Sequence, residues 1–180
     1  MEGSSGSLLL VPLGAAEPDL LRWLGERLEE AFGRSWKVAE ERPLPAESYF
    51  PHRQQYLSDH LLARLRQADA PGVWRVLGIA DADLYTPGLN FVFGQASLAG
   101  RFALVALARL RPAFHGQPED EALFRGRVLK EAMHELGHTL GLGHCRDGNC
   151  VMHFSNTLAD ADFKRARFCS RCGRRLGMAP

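Results

Sequence analysis

The hydrophobic positions of this chain fall into short unbroken runs that alternate with stripes of helical period. Leu8 to Val11 is a compact aliphatic run, as expected for a strand buried on both faces. After Pro18, the residues Leu20, Leu21, Leu24, Leu28 and Ala31 recur every three or four positions, with Arg22, Glu26, Arg27, Glu29 and Glu30 between them. That spacing predicts an amphipathic helix started by the proline. A second strand is expected over Ser35 to Glu40, a loop over Pro43 to Pro51, and a helix over Arg53 to Ala68 with Leu57, Leu61, Leu62 and Leu65 as its stripe. Pro71-Gly72 closes that unit, and Val73 to Ala80 reads as the next strand.

Downstream, Asn90 to Ala96 and Arg101 to Leu107 are two apolar runs around Ala99-Gly100, the pattern of a hairpin. A long helix is predicted over Glu119 to Leu140, where Leu123, Leu129, Ala132, Met133, Leu136 and Leu140 supply core contacts. Beyond Cys145 the chain reads as irregular and cysteine-rich, with one short helix around Ala159 to Arg167. β–α steps followed by further strands predict an α/β (α+β) architecture, a twisted mixed sheet with packed helices. At 180 residues this fits a single domain over residues 8–180, after a flexible N-terminus of residues 1–7.

Charge adds little to that picture. The formal net charge is +1, with both signs interspersed, which favours neither nucleic acid nor a membrane surface as a partner. No apolar run approaches the ~20 residues of a membrane span. The run from Ser7 to Gly14 lacks a basic lead and is broken by Pro12, so a strand is a better reading than an export signal. A cytoplasmic monomer is the resulting expectation.

Chemistry changes the picture more. His134-Glu-Leu-Gly-His138-Thr-Leu-Gly141-Leu-Gly-His144 places two histidines four residues apart on one helix face. Gly141 lets the chain leave the helix with positive φ, and His144 returns as a third imidazole. Three protein ligands with an open position is the arrangement of a catalytic zinc. Glu135, beside the first ligand, can act as general base toward a metal-activated water.

The cysteines form two close pairs, Cys145/Cys150 and Cys169/Cys172. Cys169-x-x-Cys172-Gly173 is a zinc-knuckle pattern, and two such pairs can close a structural four-thiolate site. Two disulfides, or a redox-active Cys169/Cys172 pair, are the alternatives. Two zinc ions are therefore expected, one catalytic and one structural. His52, His60 and His115 have no ligand spacing, and His153 is read as structural. Asp81 and Asp83 are read as turn formers, Lys130 and Glu131 as helix support, and Asp160 and Asp162 as caps of the last helix.

His134-Glu-x-x-His138-x-x-Gly141-x-x-His144-Cys145-x4-Cys150-x-Met152, followed by Cys169-x-x-Cys172, resembles the archaemetzincins, metzincin-clan zinc metalloproteases. The likeness extends through Val11-Pro-Leu-Gly14, Asp83-Leu-Tyr85, Asn90-Phe-Val-Phe-Gly94 and Arg127-x-x-Lys-Glu131. The spacer between Met152 and Cys169 is about one residue shorter than the family's pattern, a shift that a loop can absorb. The resemblance implies a metzincin-like catalytic domain with an active-site helix and a zinc-stapled C-terminal segment. It implies a Met-turn with Met152 beneath the histidines, the structural zinc on the four cysteines, and a peptide or protein substrate. Phe154 stands two residues after Met152, where some metzincins carry a tyrosine, so no phenol acts from there. Substrate is expected to pair with the edge of Asn90 to Ala96, Gly94 allowing close approach; an ordinary edge strand with a bulge is the alternative. A peptide-binding module without hydrolysis, or a hydrolase of non-peptide amides, would use the same residues.

Overall fold

The computed structural model describes residues 6–178. Five strands form a mixed sheet in the order β2 (Trp36–Val38), β1 (Ser7–Leu13), β5 (Val73–Ala80), β8 (Phe102–Ala106), β7 (Gly94–Ala96). The first four run parallel and β7 is antiparallel to β8 at one edge. Alternate residues of β1 and β5 feed two separate cores, which is why their sequence reads as continuous aliphatic runs. Leu8, Leu10, Leu77 and Ile79 face α1 (Pro18–Phe32) and α3 (Glu121–Thr139), while Val11, Leu13, Val76 and Ala80 face α2 (Ser58–Arg64). Each fully buried leucine or isoleucine contributes on the order of 2 kcal/mol, so α3 is held to the sheet along its length.

Both long helices start and stop where the sequence says. Pro18 opens α1 and Gly33, at φ 63°, ends it. Asp120 caps α3 by accepting a hydrogen bond from the Leu123 amide at 2.9 Å. The other end of α3 closes in a Schellman turn: the Leu142 amide bonds the Gly137 carbonyl, the Gly141 amide bonds the His138 carbonyl, and Gly141 has φ 84°.

Four expectations need correction. The helix expected from Arg53 begins only at Ser58, because Gln55–Leu57 are strand β4 of a second small sheet with β3 (Tyr49–Phe50) and β6 (Leu84–Tyr85). Pairing of Tyr56 with Tyr49 and Leu84 outweighs its helical spacing. Only Gly94–Ala96 of the expected Asn90 to Ala96 strand joins the sheet, in unbroken register with β8 and without a bulge. The helix expected over Ala159 to Arg167 is α4 (Leu158–Phe163), which ends four residues earlier, and a further short helix, α5 (Ser170–Arg175), follows it. Lys164, with ψ 155°, leaves α4 in extended conformation to bury its side chain. Of the N-terminus expected to be flexible, residues 1–5 lie outside the described residues, whereas Ser7 is already buried in β1. Among the described residues, no helix is long and apolar enough to cross a membrane.

Candidate metal centre and cleft

The second half of α3 carries His134, Glu135 and His138 to the wall of a cleft of about 620 Å³, and the turn at Gly141 brings His144 up beside them. One nitrogen from each imidazole lies within 4.8 Å of the others. Two backbone carbonyls select the tautomer. His134 Nδ1 lies 2.8 Å from the Val151 carbonyl and His138 Nδ1 2.8 Å from the Leu142 carbonyl. A carbonyl only accepts, so both Nδ1 atoms carry the proton and both Nε2 lone pairs face the cleft. Those two Nε2 atoms are 3.0 Å apart, near the ~3.3 Å expected for two nitrogens on one tetrahedral zinc. Burial, reinforced by the Lys164 charge, pushes His134 down to about 2, and burial and His138 lower His144. Both imidazoles are therefore neutral at neutral pH, the form that binds metal.

Beneath the histidines, Met152 is fully buried. A side chain at Gly137 would overlap its sulfur, so the thioether rests on bare helix backbone between the turns that carry His134 and His138. Above them, Phe154 packs its ring 4.7 Å from that of His144, the most exposed imidazole of the three.

Across the cleft lies β7. Ser97 donates to Phe102 and Ala106 donates to Phe93, so in this antiparallel ladder Gln95 bonds inward to Leu104. The N–H and C=O groups of Gly94 and Ala96 consequently point away from the sheet. Gly94 also touches the helix: a Cβ there would come 2.7 Å from both Glu135 Cγ and the Leu104 carbonyl oxygen. Gly94→Ala is expected to lower stability by about 1–3 kcal/mol through overpacking and to slow hydrolysis about 100-fold by displacing Glu135. Thermal melting and peptide kinetics check both, and unchanged values would mean that β7 yields without moving Glu135.

Glu135 is buried, and Glu131, one turn earlier on α3 and also buried, lines the same cleft. Burial and that neighbouring carboxylate raise Glu135 well above the usual carboxylate range, with Lys164 pulling the other way.

The four cysteines meet behind this site, all free thiols with sulfurs within 4.8 Å of one another. Cys145 Sγ and Cys169 Sγ are 3.8 Å apart, well beyond the ~2.05 Å of a disulfide and equal to the ~3.8 Å separation of two sulfurs on one tetrahedral zinc. The Cys169 amide donates to Cys150 Sγ at 3.3 Å and Arg171 donates to Cys145 Sγ at 3.4 Å. Burial pushes the Cys150 and Cys172 thiols up. At Cys169 burial is outweighed by the Cys172 amide and the other sulfurs, which bring it to about 7. Four sulfurs this close cannot all ionise without a cation among them, and the donor set suits a soft divalent one.

Comparison with known proteins bears on both clusters. The sequence model of peptidase family M54 matches residues 47–178. The archaemetzincin of Pyrococcus furiosus is 43% identical over 176 residues, covering 94% of this chain and 91% of that one. The chain belongs to the archaemetzincin family. The crystal structure of the Methanopyrus kandleri archaemetzincin superposes with a TM-score of 0.84 at 43% identity, covering 98% of this chain and 96% of that one. A zinc-dependent peptidase of Methanocorpusculum labreanum superposes with a TM-score of 0.82 at 28% identity, covering 94% and 100%. Like its relatives, this chain is a metallopeptidase with a mixed α/β fold.

Other residues singled out in the sequence sit elsewhere in the archaemetzincin fold. His153 Nδ1 bonds the Cys145 carbonyl at 3.0 Å, a structural contact. His60 faces Ser48, and His115 contacts the Arg109 carbonyl. Asp83 is more than a turn former: Arg109 grips both its oxygens at 2.7 and 2.9 Å, and Asp81 pairs with Arg111. Asp160 does cap α4, in a capping box with Thr157. Asp162 does not, since buried Arg127 binds both its oxygens at 2.7 Å. Lys130 supports α4 rather than its own helix, donating to the Ala161 and Asp162 carbonyls at 3.0 and 2.9 Å. Sequence reasoning missed Lys164, which lines the cleft fully buried, and underrated Glu131, its partner at 3.6 Å. The shared face of Arg127, Lys130 and Glu131, at i, i+3 and i+4, was the available sign that one turn of α3 grips a common neighbour.

Proposed function

We propose that residues 8–180 act as one zinc peptidase unit with two metal ions, a catalytic zinc on His134, His138 and His144 and a structural zinc on Cys145, Cys150, Cys169 and Cys172. The observation that carries this reading is the pair of carbonyl-locked imidazoles aiming Nε2 into a cleft beside a buried carboxylate. Zinc held there supplies Lewis acidity that activates water and polarises the scissile carbonyl. Its positive charge would also draw Glu135 back toward the ionised form that burial and Glu131 oppose. Glu135 then takes a proton from the attacking water and returns it to the leaving amine. The outward N–H and C=O groups of Gly94 and Ala96 pair with an extended peptide, which fixes its backbone over the histidines. Met152 holds the helix from below and Phe154 shields one face of His144.

Metal content and cleavage test this together. The loaded protein is expected to carry two zincs per chain and to cleave a peptide library in a chelator-sensitive way. His138→Ala is expected to keep its fold and one zinc. A single zinc in fully loaded wild type overturns one of the two sites, and peptide binding without chelator-sensitive cleavage overturns the enzymatic reading in favour of a binding module.

A further inference from the structure

Lys164 has the bulkiest side chain among those fully buried in the described residues, at 1% exposure. An ammonium so placed is strongly disfavoured unless it is paired. Its ion-pair partner is Glu131, 3.6 Å away and itself buried, and Glu131 stands one helical turn before the equally buried Glu135 on α3. Lys164 thus offsets the charge of one of the two buried carboxyl groups that share this turn of α3.

The surrounding structure is built to deliver Lys164 to this place. Arg127 clamps Asp162 in a two-pronged contact, and Lys130 closes the last carbonyls of α4. Both tethers come from the face of α3 that also carries Glu131. The backbone then turns extended at Lys164 and drives its side chain inward. On the opposite side, the backbone of Gly94 packs so close to Glu135 that a Cβ there would overlap its side chain.

We propose that Glu131 and Lys164 are positioning residues that fix the Glu135 carboxylate at the cleft through a buried Lys164–Glu131–Glu135 chain. This rests on the reading of Glu135 as the general base and extends it. The chain places a fixed cation two groups away from the reacting proton, where it orients without contacting substrate. Misplacing a catalytic group by about 1 Å costs on the order of 100-fold in rate, so an effect on kcat rather than KM is the expected signature.

Steady-state kinetics on a peptide substrate, with zinc content and thermal melting measured for every variant, tests the proposal. Glu131→Gln can still accept from Lys164 and donate to Glu135, and is expected to keep kcat within about threefold of wild type. Glu131→Asp keeps the charge but is one methylene short, and is expected to lose about tenfold in kcat at unchanged KM and zinc content. Lys164→Met is expected to lower both melting temperature and kcat. The double variant Lys164→Met/Glu131→Leu replaces the buried pair with apolar groups and is expected to regain melting temperature while kcat stays at least about 30-fold down.

A double variant with wild-type kcat would show that the pair serves stability alone. Full activity in Glu131→Asp would overturn the proposal without relying on the double variant. An equal loss of kcat in Glu131→Gln and Glu131→Asp would overturn it too, since the length of the side chain between Lys164 and Glu135 would then be irrelevant. Glu135→Ala is the control: wild-type activity there sinks the general-base reading itself, a result distinct from every outcome above.

Discussion

Glu135→Ala is expected to lower kcat/KM for a peptide by about 10²–10⁴-fold while both zinc sites remain filled. The carboxylate touches neither imidazole lock, because His134 and His138 are oriented by the Val151 and Leu142 carbonyls. Metal content should therefore equal that of wild type. Stability is expected to hold or rise, since the substitution removes a buried carboxyl that crowds Glu131 and leaves Lys164 and Glu131 paired. Zinc analysis, melting and kinetics on the same preparation decide the matter. Wild-type hydrolysis in a zinc-loaded Glu135→Ala protein would remove Glu135 from the mechanism.

Cys172→Ala is the variant with the largest expected effect on folding. A structural four-thiolate site binds zinc with an apparent free energy on the order of 10 kcal/mol, and that binding is folding free energy for the segment it ties down. Here the segment from Cys145 to Cys172 includes Val151, which locks His134, and begins next to His144. The Cys145 amide also bonds the Met152 carbonyl at 2.9 Å, joining the two ends of the loop under the histidines. Losing one thiolate is thus expected to weaken catalytic-zinc affinity by about 10–100-fold, the usual cost of disturbing the groups that orient a ligand. Competition with a chelator measures it. Unchanged affinity for the catalytic zinc, once the structural zinc is gone, would show that the two sites are independent.

The histidine and cysteine clusters are readable in the sequence because each is local. His134 and His138 are one helical turn apart, Gly141 and His144 follow at once, and the cysteines come as close pairs. The helices α1 and α3 were readable for the same reason, since proline, glycine and aspartate mark their ends in place. What escaped depends on contacts between distant segments. Tyr56 lies in a stretch of helical spacing, whereas its partners Tyr49 and Leu84 lie on other strands. Asp162 looked like a cap because Arg127 is far away along the chain. Lys164 resembled any basic residue of a polar tail, and only the packing of α4 on α3 turns it inward. The open edge of β7 is legible at Gly94, but Asn90 to Phe93 lie outside the strand, since a run of apolar residues does not distinguish a strand from a segment folded over the cleft.

The two carbonyls that fix the imidazole tautomers bear on whether the proposed metal site could be transplanted. Neither belongs to the helical segment that presents the histidines: one follows the Schellman turn at Leu142, the other sits at Val151 inside the cysteine-bounded loop. A graft of α3 alone into another scaffold would carry only His134 and His138, and would leave each of those rings free to protonate either nitrogen and to rotate. The smallest portable unit runs from α3 through Cys172, so the cysteine cluster travels with the histidines as part of their geometry.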